Sequence, residues 1–124
     1  MQHVQSSTAP IPAGHYSQAV VHNGFVFVAG QLPIRPESKA HRPGPIGEQT
    51  EQALRNVEAI LDAAGSGLDR IVSMTIYVSD IALWGEVNTV YARYMGQHKP
   101  ARAVVPVKEL HYGYQIEIQA IGAI

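Results

Sequence analysis

The chain has 124 residues, enough for one domain with a single core, and 46% of them are hydrophobic, too many for a disordered segment. Nine basic and ten acidic residues leave a formal net charge of -1, and no Lys/Arg run occurs, so an electrostatic nucleic-acid footprint is absent. Cysteine is absent as well, which excludes a disulfide scaffold, a thiol nucleophile and thiolate metal sites, and suits a reducing cytosol.

Met1 to Pro12 is polar and Pro-bearing and reads as a loose N-terminal tail, without the charged and apolar regions of a signal peptide. No apolar run approaches the ~18 residues of a membrane span, so no membrane partner is expected. Gly14 to Gln18 leads into Ala19-Val20-Val21, and Asn23-Gly24 is a strong short hairpin signal. The partner strand, Phe25 to Gly30, is apolar on both faces. Helices of a chain this short cover only one sheet face, so the other asks for a second subunit.

Arg35 to Gly47 holds three prolines, two glycines and four charged residues and reads as a surface loop. Glu48 to Ala64 is predicted helical, with Leu54, Val57, Ile60, Leu61 and Ala64 on one stripe and Gly65 as its stop. Leu68-Asp69-Arg70 opens the next predicted strand, where Val72, Met74, Ile76 and Val78 share a face. Ser79 or Asp80 caps a second helix, with Trp84, Val87, Tyr91 and Tyr94 buried and Gly96 as its end. The order β-β, loop, α, β, α, β-β predicts an α+β domain over residues 1–124, a mixed sheet with two helices packed on one face. The bare face mixes polar and apolar residues, which a closed homo-oligomer with clefts between subunits would satisfy.

The last stretch, Lys99 to Glu117, reads as two strands joined by a turn. Ala103 to Val107 is β-branched and apolar, and Leu110 to Gly113 is the break. From Tyr114 to Ile121 the pattern alternates, with Ile116, Ile118 and Ala120 on one side and Gln115, Glu117 and Gln119 on the other. Arg102 at the mouth of the first strand and Glu117 on the second are close enough in sequence for the turn to bring them together. An Arg and a Glu at one cleft suit a small carboxylate and a proton transfer beside it. Read without context, they are a solvated edge charge and a solvent-face residue. The six histidines form no HxH or HExxH pattern, so no metal site is expected; His15 and His111 flank the cleft segments.

Taken together, Gly14-His15-Tyr16-Ser17-Gln18, Phe27-Val28-Ala29-Gly30-Gln31-Leu32-Pro33, Val87-Asn88-Thr89-Val90-Tyr91, Pro100-Ala101-Arg102 and Ile116-Glu117-Ile118-Gln119-Ala120 resemble the Rid deaminases (reactive intermediate deaminases, YjgF/YER057c/UK114). Glu48-Gln49-Thr50 and Ala63-Ala64-Gly65 fall in the same register. The resemblance implies a chorismate-mutase-like α+β fold and a homotrimer with active sites between subunits. It implies hydrolysis of 2-imino acids such as 2-iminopropanoate and 2-iminobutanoate to 2-oxo acids and ammonia, without metal or cofactor. In that family Arg102 would hold the substrate carboxylate and Glu117 would position water and handle protons. Tyr16 and the backbone at Gly30 would line the substrate, and Asn88 would supply a hydrogen bond near the interface. His15, Ala29, Val104 and the His111-Tyr112-Gly113 turn depart from the usual pattern and bear on substrate preference. Another enamine substrate such as 2-aminomuconate, a binding or chaperone-like role, and an RNA-acting role are the alternatives.

Overall fold

The computed structural model describes residues 1–124. A six-stranded sheet in the order β1-β2-β3-β6-β4-β5 carries two helices. The strands are β1 (Gln2–Val4), β2 (Ala19–His22), β3 (Phe25–Gln31), β4 (Ile71–Val78), β5 (Ala101–Pro106) and β6 (Ile116–Ala123). The helices are α1 (Ile46–Ala63) and α2 (Trp84–Met95). Every pairing is antiparallel except β4 with β5, which α2 links by a crossover. The mixed sheet with two helices is therefore the expected α+β architecture.

Local signals act where they stand. Asn23 and Gly24 both have positive φ, 50° and 80°, the pair of left-handed residues that a two-residue hairpin loop requires. Gly65, at φ 82°, stops α1 just after Ala64. Asp80 accepts a hydrogen bond from the Ala82 backbone N–H at 2.9 Å and caps the short 3-10 turn Ile81–Leu83 that leads into α2. The core lies between the helices and one sheet face. Leu54, Val57, Ile60 and Leu61 of α1 and Val87 of α2 meet Val26, Val28, Met74, Ile76, Ile116 and Ile118 of the sheet.

Four expectations are corrected. The N-terminal segment is no loose tail: β1 pairs with β2, Val4 and Ala9 are buried, and the Gln18 side-chain amide donates to the carbonyls of Ser6 and Pro10. Leu68–Arg70 is a 3-10 turn, not the start of a strand. Val72 does not join Met74, Ile76 and Val78; an irregularity between Ile71 and Ser73 turns it outward and puts Ile71 in the core. The buried stripe of α2 is Val87, Val90, Tyr91 and Met95, leaving Trp84 at the surface and Tyr94 half-buried with its hydroxyl donating to Glu58 at 2.6 Å.

A fifth difference bears on the candidate site residues. β5 and β6 are not neighbours, because β4 lies between them and pairs with both. β5 is the parallel partner of β4 and forms the sheet edge. The other face of the sheet exposes Phe25, Phe27 and Val72 beside Thr75, Tyr77 and Gln119.

Candidate active site

Glu117 sits on β6 and points to the bare face, since its neighbours Ile116 and Ile118 are wholly buried against the helices. Across from it, β3 loses regular register between Val28 and Gln31, at Ala29-Gly30. The missing side chain at Gly30 makes room for the carboxylate: a Cβ there would lie 2.6 Å from Glu117 Oε2. Glu117 ends in a cavity of about 470 Å³, walled by Tyr16, Ala29, Gly30, Leu32, His111 and Tyr112 among others. Burial pushes its carboxyl above the usual carboxylate range, and the nearby His111 charge pulls it partly back. A carboxyl whose pKa is raised by desolvation is a stronger base than an ordinary carboxylate, which suits it to taking and returning protons. Of the predicted site residues, Tyr16, Gly30 and Glu117 thus share one cavity.

The rim is built from aromatic residues. Tyr112 adopts the left-handed region (φ 63°, ψ 18°) and is followed by Gly113 at φ 79°. Its ring stacks on His41 from the long loop, with centroids 3.8 Å apart and planes 3° from parallel. His41 Nδ1 and the Tyr114 hydroxyl are 3.2 Å apart, which anchors the same loop to the segment that leads into β6. The sequence signal for this rim was the unusual His111-Tyr112-Gly113 turn; His41 carried none. His15 is exposed and does not line the cavity.

Arg102 is elsewhere. It pairs with Met74 on β4, and so points to the helix side of the sheet edge, whereas Glu117 pairs with Tyr77 and points to the bare side. Three residues along the strand and two strand spacings across put their backbones roughly 14 Å apart on opposite faces. The expectation that a turn brings Arg102 and Glu117 together within one chain is therefore overturned, because the inserted β4 separates them. Arg102 is nevertheless held in place. Its Nη1 donates to Asn88 Oδ1 at 3.0 Å, and its guanidinium carbon lies 4.7 Å from the ring centroids of both Trp84 and Tyr91. Asn88 is thus Arg102's hydrogen-bond partner within the chain, a pairing the sequence did not single out. The group borders a second hollow of about 440 Å³ between α2 and β5. Burial also raises the pKa of Tyr91, which the neighbouring Arg102 charge lowers in part. No cluster of three or more His, Asp or Glu side chains is placed to hold a metal ion.

The geometry meets its counterpart in known proteins. Residues 6–124 match the family model described as Endoribonuclease L-PSP. The chain is 44% identical to a RutC family protein of Pyrococcus horikoshii over 117 residues, covering 94% of this chain and 93% of that one. It is 40% identical to the 2-iminobutanoate/2-iminopropanoate deaminase of Rattus norvegicus over 119 residues, covering 96% of this chain and 87% of that one. The solved structure of E. coli TdcF with bound serine superimposes with a TM-score of 0.95 at 31% identity, over 100% of this chain and 99% of that one. The chain belongs to the Endoribonuclease L-PSP family, which is the YjgF/Rid family expected from its motifs.

Proposed function

We propose that this protein hydrolyses small 2-imino acids of the 2-iminopropanoate and 2-iminobutanoate type to 2-oxo acids and ammonia, in sites formed between subunits of a cytoplasmic homotrimer. The observation that carries the reading is the half-buried Glu117 carboxyl, raised by burial and seated against Gly30 in a cavity. Water placed between that carboxylate and the C=N carbon would lose a proton to Glu117 as it attacks. Arg102 would hold the substrate carboxylate through its planar pair of N–H donors.

Because Arg102 and Glu117 lie on opposite faces of one chain, both serve a single substrate only if Arg102 comes from a neighbouring copy. The exposed apolar residues of the bare face, Phe25, Phe27 and Val72, give such a copy a surface to cover. Asn88, Trp84 and Tyr91 would then keep Arg102 in position before substrate arrives. Two relatives at about 40% identity are named for this reaction, and TdcF was solved with serine, itself a small amino acid. The chain's lack of cysteine agrees with a reducing compartment.

RNA cleavage is the second reading, because the matching family model is described as an endoribonuclease. The formal charge of -1 and the absence of a basic run oppose it. The test generates 2-imino acids in situ from several amino acids and follows 2-oxo acid release. A rate equal to the uncatalysed one would sink the proposal, and RNA degradation lost in Arg102→Ala would favour the second reading.

A further inference from the structure

The cavity that holds Glu117 is lined by one histidine, and no matched motif accounts for it. His111 lines the same wall, at the turn that enters β6. The turn is fixed from both sides. The backbone N–H of Tyr114 donates to the His111 carbonyl at 3.3 Å, and Tyr112 is locked by its stack on His41. The remaining titratable residues of the cavity wall are Tyr16 and Tyr112, phenols of a class that is uncharged at neutral pH. His41 stands behind Tyr112 and is engaged with Tyr114. Histidine as a type changes charge between about pH 5 and 8.

We propose that His111 is a second catalytic residue, the proton-transfer partner of Glu117 across this cavity. The inference rests on the imine reading above. The reaction needs two protons delivered to nitrogen and two removed from water. In the attack, water's oxygen bonds to the C=N carbon, Glu117 takes one water proton, and the imidazolium of His111 protonates the nitrogen that receives the π pair. In the collapse, the protonated Glu117 gives its proton to nitrogen and the C–N bond breaks with its pair leaving as ammonia. Neutral His111 takes the hydroxyl proton as the C=O bond forms. Both groups return to their starting states, so no other acid or base is required. The pairing also explains why Glu117 feels the His111 charge against the effect of burial.

The test compares wild type with His111→Gln, which keeps a polar side chain and removes the charge. Turnover of in situ imine is measured across pH, and the Glu117 carboxyl is titrated by carbon-13 NMR. We expect kcat about tenfold or more lower with KM little changed, in line with a lost general acid. The acid limb of kcat/KM and the Glu117 titration should both move to higher pH, because the cation that favours the carboxylate is gone. An unchanged rate profile or an unmoved Glu117 titration, with wild-type turnover intact, overturns the role of His111 and leaves the imine reading standing. A wild-type protein that releases no 2-oxo acid overturns that reading, and the catalytic role of His111 with it.

Discussion

Gly30 and Glu117 are in direct contact across strands β3 and β6, and the absence of a side chain on one sets the position of the carboxylate on the other. A Cβ at residue 30 would stand 2.6 Å from Glu117 Oε2 and 3.1 Å from its Cδ. Gly30 is not among the positive-φ glycines, so the backbone itself accepts alanine. The obstacle is the end of a flexible side chain, which can swing away. Gly30→Ala should therefore fold with a melting temperature close to wild type while losing about 10² or more of imine turnover, the scale of a misplaced general base. A variant that keeps full turnover would show that the Glu117 position is not set by this contact.

Glu117 links the site to stability with a definite sign. Its folded pKa is raised above the ordinary carboxylate value, mainly by burial. A group with a raised folded pKa favours the fold below its unfolded pKa and loses that contribution as pH rises through the folded value. At neutral pH the wild-type chain therefore bears the cost of a partly desolvated charge. Glu117→Gln should be at least as stable as wild type at pH 7, with the difference shrinking as pH falls toward 4. The same substitution should slow hydrolysis by about 10² to 10⁴. Thermal melts at both pH values check the first half. A Gln variant less stable at pH 7 than at pH 4, relative to wild type, would reverse the sign and refute it.

Tyr91 offers a prediction without reference to turnover. Its hydroxyl is buried and has no hydrogen-bond partner, while its ring lies under Arg102. An unsatisfied buried polar group costs about 1–3 kcal/mol, and its removal with the shape retained is neutral or stabilising. Tyr91→Phe keeps the ring and should raise the unfolding free energy by up to ~1 kcal/mol in chemical denaturation. A loss of that size would mean that the hydroxyl has a partner in the assembled protein.

The features legible in the sequence are those fixed by near neighbours. Asn23-Gly24 specifies its hairpin because two adjacent residues must take positive φ, and Gly65 stops α1 for the same local reason. The alternation from Ile116 to Ala120 gave the correct faces, and so the correct outward direction of Glu117. What was illegible depends on distant partners. Val4 and Ala9 lie in a segment of tail-like composition, and are buried because Gln18 and β2 hold it down. Gln49 and Asn56 are polar yet buried, since Asn56 donates to the carbonyls of Leu32 and Ile34 and Gln49 to that of Gly44. The largest error followed from adjacency: β5 and β6 are consecutive in the chain, but β4 occupies the place between them. The family motifs singled out Arg102 and Glu117, while only the register shows that one chain keeps them apart.

That separation yields the sharpest test of the assembled site. The planar fork of Arg102 is what the carboxylate would need, and Asn88, Trp84 and Tyr91 hold that fork in place. Lysine keeps the charge without the fork. Arg102→Lys should therefore lose most of the turnover with the fold intact, whereas a solvated edge arginine, worth only ~0–1 kcal/mol in an exposed pair, would tolerate the change. Glu117→Gln should be inactive for a different reason. If each site takes Arg102 from one subunit and Glu117 from the next, the two inactive variants complement each other. Unfolding and refolding them together in equal amounts should restore roughly a quarter of the sites, as random assembly of a cyclic trimer gives. Each variant refolded alone should stay inactive, and light scattering on the mixture should give the mass of three chains. Failure to regain activity in a mixture shown by mass spectrometry to contain both chains in one trimer would mean that no site combines the two residues across an interface.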